Sequence, residues 1–247
     1  MDRCDRGDAP VSGQGPVLGL VMPARSARGH VWLLLSAAAA LIVFALLWLG
    51  YAQQWNGLSR LDVGALTPAH HYGIAHPGWV TAWDVFATAL GPGAFRIGGA
   101  IIIVVLLVRG QRRPAVFLLV TIELSALVTE LAKLLAGRPR PATKLVDAYG
   151  TSFPSGHALG IMVCVLALLT VFTPKVVAAW RPWLGMLGGV LILLIGISRV
   201  LLNVHNPSDV LAGWALGYAY FIVCLLALPP RTVTAADGTP PAPGNAP

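Results

Sequence analysis

Three short segments combine cations, histidines and a carboxylate at spacings that could do chemistry. They are Lys133 to Pro141 (KLLAGRPRP), Pro154-Ser155-Gly156-His157, and Ser198 to Asp209 (SRVLLNVHNPSD). Lys133, Arg140 and Arg199 supply cations, and arginine offers planar, bidentate donors to a phosphate. Ser155 is placed to cap a helix beginning at Gly156, where glycine lets a ligand come close to the backbone. The free N–H groups and positive dipole end of such a terminus suit an oxyanion. His157 follows within reach of whatever that terminus binds. In the last segment Asn206 is a good N-cap, Pro207 fits the first helical position, and Asp209 falls three residues past the cap. Asp209 also lies four residues from His205, so the carboxylate can hold one ring nitrogen and leave the other free to attack. Together these residues describe an oxyanion site with a nucleophile.

The elements that must position them are apolar. Of 247 residues, 56% are hydrophobic and 11% charged, against about 25% charged in soluble domains, which excludes a soluble globular protein. Three cysteines exclude a disulfide scaffold. Cys4 lies in a polar stretch, while Cys164 and Cys224 sit in apolar runs as small core residues. Val31 to Leu49 is 19 residues without a charge, enough for a span and longer than a signal-peptide core of about 7–15. Further blocks cover about Pro92 to Val108, Pro114 to Ala136, Ala158 to Thr173, Trp183 to Ile197 and Val210 to Leu228. The expected fold is all-α: an integral membrane bundle of six transmembrane helices over residues 30–229. Residues 1–29 and 230–247, rich in Gly, Pro, Ala and Thr, are expected to be disordered tails. Residues 52–91 are expected to be an extramembrane loop leading into an interfacial helix near Asp84–Leu90.

The net charge of +7 is better explained by membrane topology than by nucleic acid, since the basic residues are diluted among apolar blocks. On the N-terminal side lie Arg3, Arg6, Arg25, Arg28, Arg109, Arg112, Arg113, Lys175, Arg181 and Arg231. On the other lie Arg60, Arg96, Lys133, Arg138, Arg140, Lys144 and Arg199. Four of the latter seven (Lys133, Arg138, Arg140 and Arg199) belong to the candidate anion cluster and are discounted. Both termini are therefore expected in the cytoplasm, with the three polar segments at the extracytoplasmic face.

The pattern K-x6-R-P, then P-S-G-H, then S-R-x5-H-x3-D closely resembles the three-part signature of the type-2 phosphatidic acid phosphatase family. The resemblance covers about residues 80–228. It implies metal-independent hydrolysis of a lipid phosphomonoester or diphosphate through a phosphohistidine, with no cofactor. By that resemblance His205 attacks phosphorus, Asp209 orients it, and His157 protonates the leaving oxygen and later activates water. Lys133, Arg140, Ser155, Gly156 and Arg199 would neutralise the equatorial oxygens; Ser198 would support and Arg138 assist. The implied partners are the bilayer and a lipid substrate: a polyprenyl diphosphate carrier of wall synthesis, phosphatidylglycerophosphate or phosphatidic acid. The polyprenyl diphosphate ranks first, because in bacteria it is recycled on the outer face. A phosphotransferase on the same fold and a non-catalytic lipid-binding relative are the alternatives; retention of His157, His205 and Asp209 weighs against the second. A transporter would need polar groups near mid-membrane, whereas here they crowd at helix ends.

The remaining polar residues have plainer expectations. Glu130 and Lys133 are spaced for an ion pair on one helix face. Glu123 is expected to be protonated or bonded between helices. Arg96 is placed to snorkel to the interface. His70, His71 and His76 match no standard metal spacing and are read as an ordinary loop. Gly185/Gly189 and Gly213/Gly217 have GxxxG spacing, read as close helix packing within one subunit; the oligomeric state is open.

Overall fold

A computed structural model describes residues 27–230. The expected tails, 1–29 and 230–247, lie outside the described residues except at 27–29 and 230. Residues 27–29 are the first turn of helix α1 (Ala27–Ala52) rather than tail, since a helix end outside the hydrocarbon core needs no apolar side chains. The other helices are α2 (Asn56–Ala75), α3 (Pro77–Ala89), α4 (Pro92–Val108), α5 (Arg112–Leu118), α6 (Ser125–Ala136), α7 (Gly156–Phe172), α8 (Arg181–Leu201) and α9 (Pro207–Ala227). No strand occurs among the described residues.

Among the described residues, six segments are long and apolar enough to cross a membrane: Arg28–Ala52, Pro77–Val108, Arg112–Ala136, Gly156–Lys175, Ala178–Leu201 and Pro207–Ala227. The chain is thus an all-helical, multi-pass membrane protein. Leu34 and Ile42 on α1, Ile101 and Val104 on α4, and Leu187 and Leu193 on α8 face outward, as a lipid-facing surface requires. Pro77, Pro92 and Pro207 open α3, α4 and α9, where a missing N–H costs nothing. Gly137, at φ 62°, closes α6 in the left-handed conformation that favours glycine.

The second span corrects the sequence expectation. It starts at Pro77 rather than Pro92, because α3 runs into α4 through a short break at Leu90–Gly91. The stretch 52–91 is therefore not an extramembrane loop leading into an interfacial helix near Asp84–Leu90 but two helices, the second of which belongs to the span. Pro68 lies inside α2, and with Gly57, Gly64 and Gly73 it gives that segment the composition of a loop. Its buried residues, Asp62, Leu66, Ala69 and Gly73, nevertheless recur at four, three and four positions, the period of one helix face. The third span also departs from a plain helix: Leu119–Glu123 forms a π-helical turn between α5 and α6, which widens the helix beside Glu123.

Helix α7 is the central post, packed against α4, α6, α8 and α9. Its contact with α9 is close because Gly213 and Gly217 face it. A Cβ on Gly213 would lie 2.6 Å from the Ser155 carbonyl oxygen, and one on Gly217 would lie 2.8 Å from that of Leu159. The expected packing role of that pair holds. Gly185 and Gly189 differ: a Cβ on either would meet nothing within 4 Å, whereas one on Gly188 would lie 2.7 Å from Val165. The face of α8 turned to α7 is thus the one carrying Gly188. Cys164 and Cys224 are buried as small core residues.

Candidate active site

The three signature segments meet at one end of the bundle, at the ends of α6 and α8 and the starts of α7 and α9. Local sequence sets each approach. Ser155 has the extended backbone of an N-cap, and its hydroxyl lies 3.5 Å from the Ala158 amide. At the start of α9 the Asn206 backbone N–H donates to Asp209 Oδ2 at 2.8 Å. The close α7–α9 contact brings the two starts together, so that the Ser155 N–H donates to the Asp209 carbonyl at 2.9 Å. The Val204 and His205 amides both donate to the Arg199 carbonyl, at 3.1 and 3.2 Å, which ties the turn carrying His205 to the end of α8.

His205 is 2% exposed. Arg140 Nη1 donates to its Nε2 at 3.1 Å, so Nε2 holds the lone pair and Nδ1 the proton. Nδ1 faces Asp209 Oδ2 at 3.6 Å, beyond a good hydrogen bond. Burial pushes the His205 pKa down to about 4, against the opposing pull of the Asp209 carboxylate. The imidazole is therefore neutral at physiological pH. Arg140 is held by the Tyr149 carbonyl at 2.9 Å and the Val204 carbonyl at 2.9 Å. Burial lowers its pKa from the ordinary value, yet arginine stays protonated. Arg199 is 6% exposed, and its guanidinium makes no hydrogen bond among the described residues, Nε included. A buried, unpaired guanidinium has the chemistry to receive an anion.

On the other flank, a cavity of about 320 Å³ is lined by Lys133, Gly156 and His157, with Thr129, Glu130 and Arg96. His157 lines this cavity and makes no side-chain hydrogen bond among the described residues. Lys133 Nζ donates to Glu130 at 3.1 Å, the expected i,i+3 pair. A Cβ on Gly156 would lie 3.1 Å from Thr129 and 3.9 Å from Lys133 Nζ. Larger residues would thus fill the space beside the cation.

Three expectations change. Ser198 is fully buried and donates its hydroxyl to the Ile195 carbonyl at 2.7 Å, so it caps its own helix turn. Arg138 does not point at the anion space: Nη1 donates to Asp209 Oδ1 at 2.6 Å and to Ser208 Oγ at 2.7 Å, and Nη2 to Asp62 Oδ2 at 2.8 Å. Its guanidinium also stacks 4.8 Å over the Tyr51 ring. Arg96 does not snorkel. Nη2 donates to Ser125 Oγ at 3.2 Å and Nε is buried, because the second span extends well beyond Arg96 on that side.

Asp62 is the residue that sequence reasoning missed. It is 3% exposed and accepts from the Ser208 amide at 3.0 Å and from Ser208 Oγ at 2.6 Å, besides Arg138. The four-three-four spacing of α2's buried face was the signal that could have found it. His70, His71 and His76 lie on α2 and at its end. His76 stacks on Tyr72 at 4.0 Å and bonds its carbonyl through Nδ1 at 2.9 Å.

Residues 114–232 match the PAP2 superfamily profile, a stretch that contains every signature residue and excludes α2 and α4. An undecaprenyl-diphosphatase of Sulfolobus acidocaldarius is 32% identical over 119 residues, 45% of this chain and 54% of the relative. Phosphatidylglycerophosphatase B of Bacillus subtilis is 35% identical over 101 residues, 39% of this chain and 49% of the relative. The chain spans about half the length of the curated relatives it matches. In fold it resembles a transmembrane PAP2-type phosphatidylglycerolphosphate phosphatase from Bacillus subtilis, with a TM-score of 0.64 at 23% identity, over 76% of this chain and 94% of that one. The three-part signature is thus assembled at one end of the bundle, and the PAP2 superfamily profile matches across it over just under half of the chain.

Proposed function

We propose that this protein is a metal-independent lipid phosphate phosphatase. The observation that carries the reading is His205: a buried, neutral imidazole whose Nε2 lone pair faces Arg140 while its Nδ1–H faces Asp209. A phosphate oxygen arriving at Arg140 and Arg199 would take over the N–H that Arg140 now shares with Nε2. That exchange frees the lone pair beside phosphorus. Nε2 then forms the new bond to phosphorus as the bond to the leaving oxygen breaks, and Asp209 steadies the imidazolium that develops. His157, on the cavity side, donates a proton to the leaving oxygen. In the second half it takes a proton from the water that cleaves the phosphohistidine. Ser155, Gly156 and Lys133 add donors to the equatorial oxygens.

The substrate class follows from the site's place at the end of membrane helices, where a lipid head group resides. Polyprenyl diphosphate, phosphatidylglycerophosphate and phosphatidic acid are the candidates, with the first ranked highest; relatives carry the names undecaprenyl-diphosphatase and phosphatidylglycerophosphatase B. Both termini lie in the cytoplasm in this reading and the site opens on the outer face. The test is phosphate release by purified protein from a panel of these lipids, with His205→Ala as blank. Release that persists in excess chelator and vanishes in the blank supports the reading. Release undiminished in the blank overturns it.

A further inference from the structure

Arg96 is a membrane-span cation that the scheme above leaves unused. It sits on α4 within the span Pro77–Val108, and no ion pair joins it to a carboxylate within 4.0 Å among the described residues. Nη2 donates to Ser125 at 3.2 Å, and Nε is buried without a hydrogen-bond partner. Glu123, the other charge at this depth, has an unpartnered Oε1 near Gly99 and makes no ion pair with Arg96 among the described residues. An arginine inside a span is costly unless it is paired or faces a polar cavity. Arg96 meets the second condition, since it lines the cavity of about 320 Å³ that also holds Lys133, Gly156 and His157.

Its place in that cavity is specific. A Cβ on Gly156 would lie 3.9 Å from Lys133 Nζ, and one on Gly160 would lie 3.8 Å from Arg96 Nη2. Four residues of helix separate those two glycines, about 6 Å along α7. Lys133 thus lies against the Gly156 level of α7 and Arg96 against the Gly160 level, one helical turn further from the start of α7, and both line the same cavity. Glu130 already neutralises Lys133, whereas no carboxylate neutralises Arg96. A ligand with one phosphate uses only the first level; a ligand with two in series reaches both.

We propose that Arg96 binds the lipid-proximal phosphate of a diphosphate substrate, so that the cavity is built for lipid diphosphates rather than monophosphates. This rests on the phosphatase reading and names its substrate class. In the step implied, His205 Nε2 bonds to the terminal phosphorus and the bond from that phosphorus to the bridging oxygen breaks. The electron pair stays on the bridging oxygen, and the lipid monophosphate departs with the added negative charge. Arg96 meets that charge as it develops, beside the proton that His157 delivers.

The test compares geranylgeranyl diphosphate with geranylgeranyl monophosphate, which share one chain, on wild-type protein, Arg96→Gln and Arg96→Lys. The expected result is that Arg96→Gln lowers kcat/KM for the diphosphate about tenfold to a hundredfold more than for the monophosphate, the worth of a charge-assisted contact. Arg96→Lys recovers part of the difference. Equal losses on both substrates, or none on the diphosphate, overturn the proposal. Should Arg96→Gln unfold, as thermal unfolding in detergent would show, the comparison rests on Arg96→Lys, and a differential below about threefold overturns it. If wild-type protein hydrolyses neither lipid, the phosphatase reading fails by itself. The subsite is then judged by binding: tighter binding of the diphosphate than the monophosphate, lost in Arg96→Gln, supports it, and equal binding overturns it.

Discussion

Asp62→Asn tests whether the His205–Asp209 pair is oriented from outside the signature segments. Asp62 accepts from the Ser208 amide at 3.0 Å, Ser208 Oγ at 2.6 Å and Arg138 Nη2 at 2.8 Å. Asparagine keeps the volume and one acceptor but removes the charge that shares Arg138 with Asp209. Arg138 then has Asp209 as its single carboxylate, at 2.6 Å, and draws it further from His205 Nδ1, already 3.6 Å away. Breaking a buried ion pair by removing one partner costs about 3–5 kcal/mol. The side chains of Arg138 and Asp62 are 12% and 4% exposed, so water recovers little of that loss. Part of it appears as a lower Tm and part as lost orientation, which we expect to reduce kcat about tenfold to a hundredfold. That is less than the roughly 10⁴-fold lost when the orienting carboxylate of a serine-protease triad is itself neutralised. The assay is phosphate release at saturating lipid with thermal unfolding in parallel. The double variant Asp62→Asn/Arg138→Met separates positioning from simple stability: with both partners gone, Asp209 is free to turn back to His205, and kcat rises above that of Asp62→Asn alone. A single variant with wild-type kcat, or a double variant whose losses simply add, would refute the reasoning.

Three further outcomes are expected. Histidine-labelled NMR in detergent should find His205 neutral at pH 6. With a folded pKa of about 4 against about 6.5 unfolded, the unfolded chain takes up a proton that the site refuses. Stability should therefore fall as pH drops from about 6.5 to about 4 and be indifferent to this group above that window; a His205 midpoint near 6.5 would count against the buried site. Gly213→Val sets a side chain against the Ser155 carbonyl, 2.6 Å from an added Cβ. It should cost about 1–3 kcal/mol of overpacking and cut kcat by spreading α7 from α9, and unchanged unfolding and turnover would contradict that packing. Tyr149 is 87% exposed, so Tyr149→Cys in a Cys4→Ser background should react with a membrane-impermeant thiol reagent on intact cells. Protection there would reverse the proposed orientation.

Much of the site was legible because its geometry is local. His205 and Asp209 are one turn apart across an N-cap, Ser155 caps the helix that carries His157, and Glu130 and Lys133 share a helix face. In each case the spacing of a helix start or a helix turn brings the groups together without help from the rest of the fold. The spans were legible for a similar reason, since a bilayer demands an apolar length that composition displays. Their ends were less so: α3 adds to the second span through a break that Gly91 and Pro92 made look like a boundary. The glycine pairs of α8 and α9 have the same spacing, yet one faces a neighbour and the other open surface, which spacing cannot distinguish.

Sequence alone determined that this is a helical membrane protein, that its chemistry gathers at helix ends, and that the pattern of basic residues, histidines and aspartate suits a phosphate. Tertiary structure decided which cations are free. Arg138 and Arg140 differ by two positions, but one is consumed by Asp62 and Asp209 while the other faces His205 Nε2. Asp62 lies 76 residues from Arg138 and 146 from Ser208, and Pro92, at the start of the helix that carries Arg96, packs on α7 where Gly160 leaves its ring room. Such partners are chosen by how helices pack, and a charge's role depends on the opposite charge beside it, which no local spacing records.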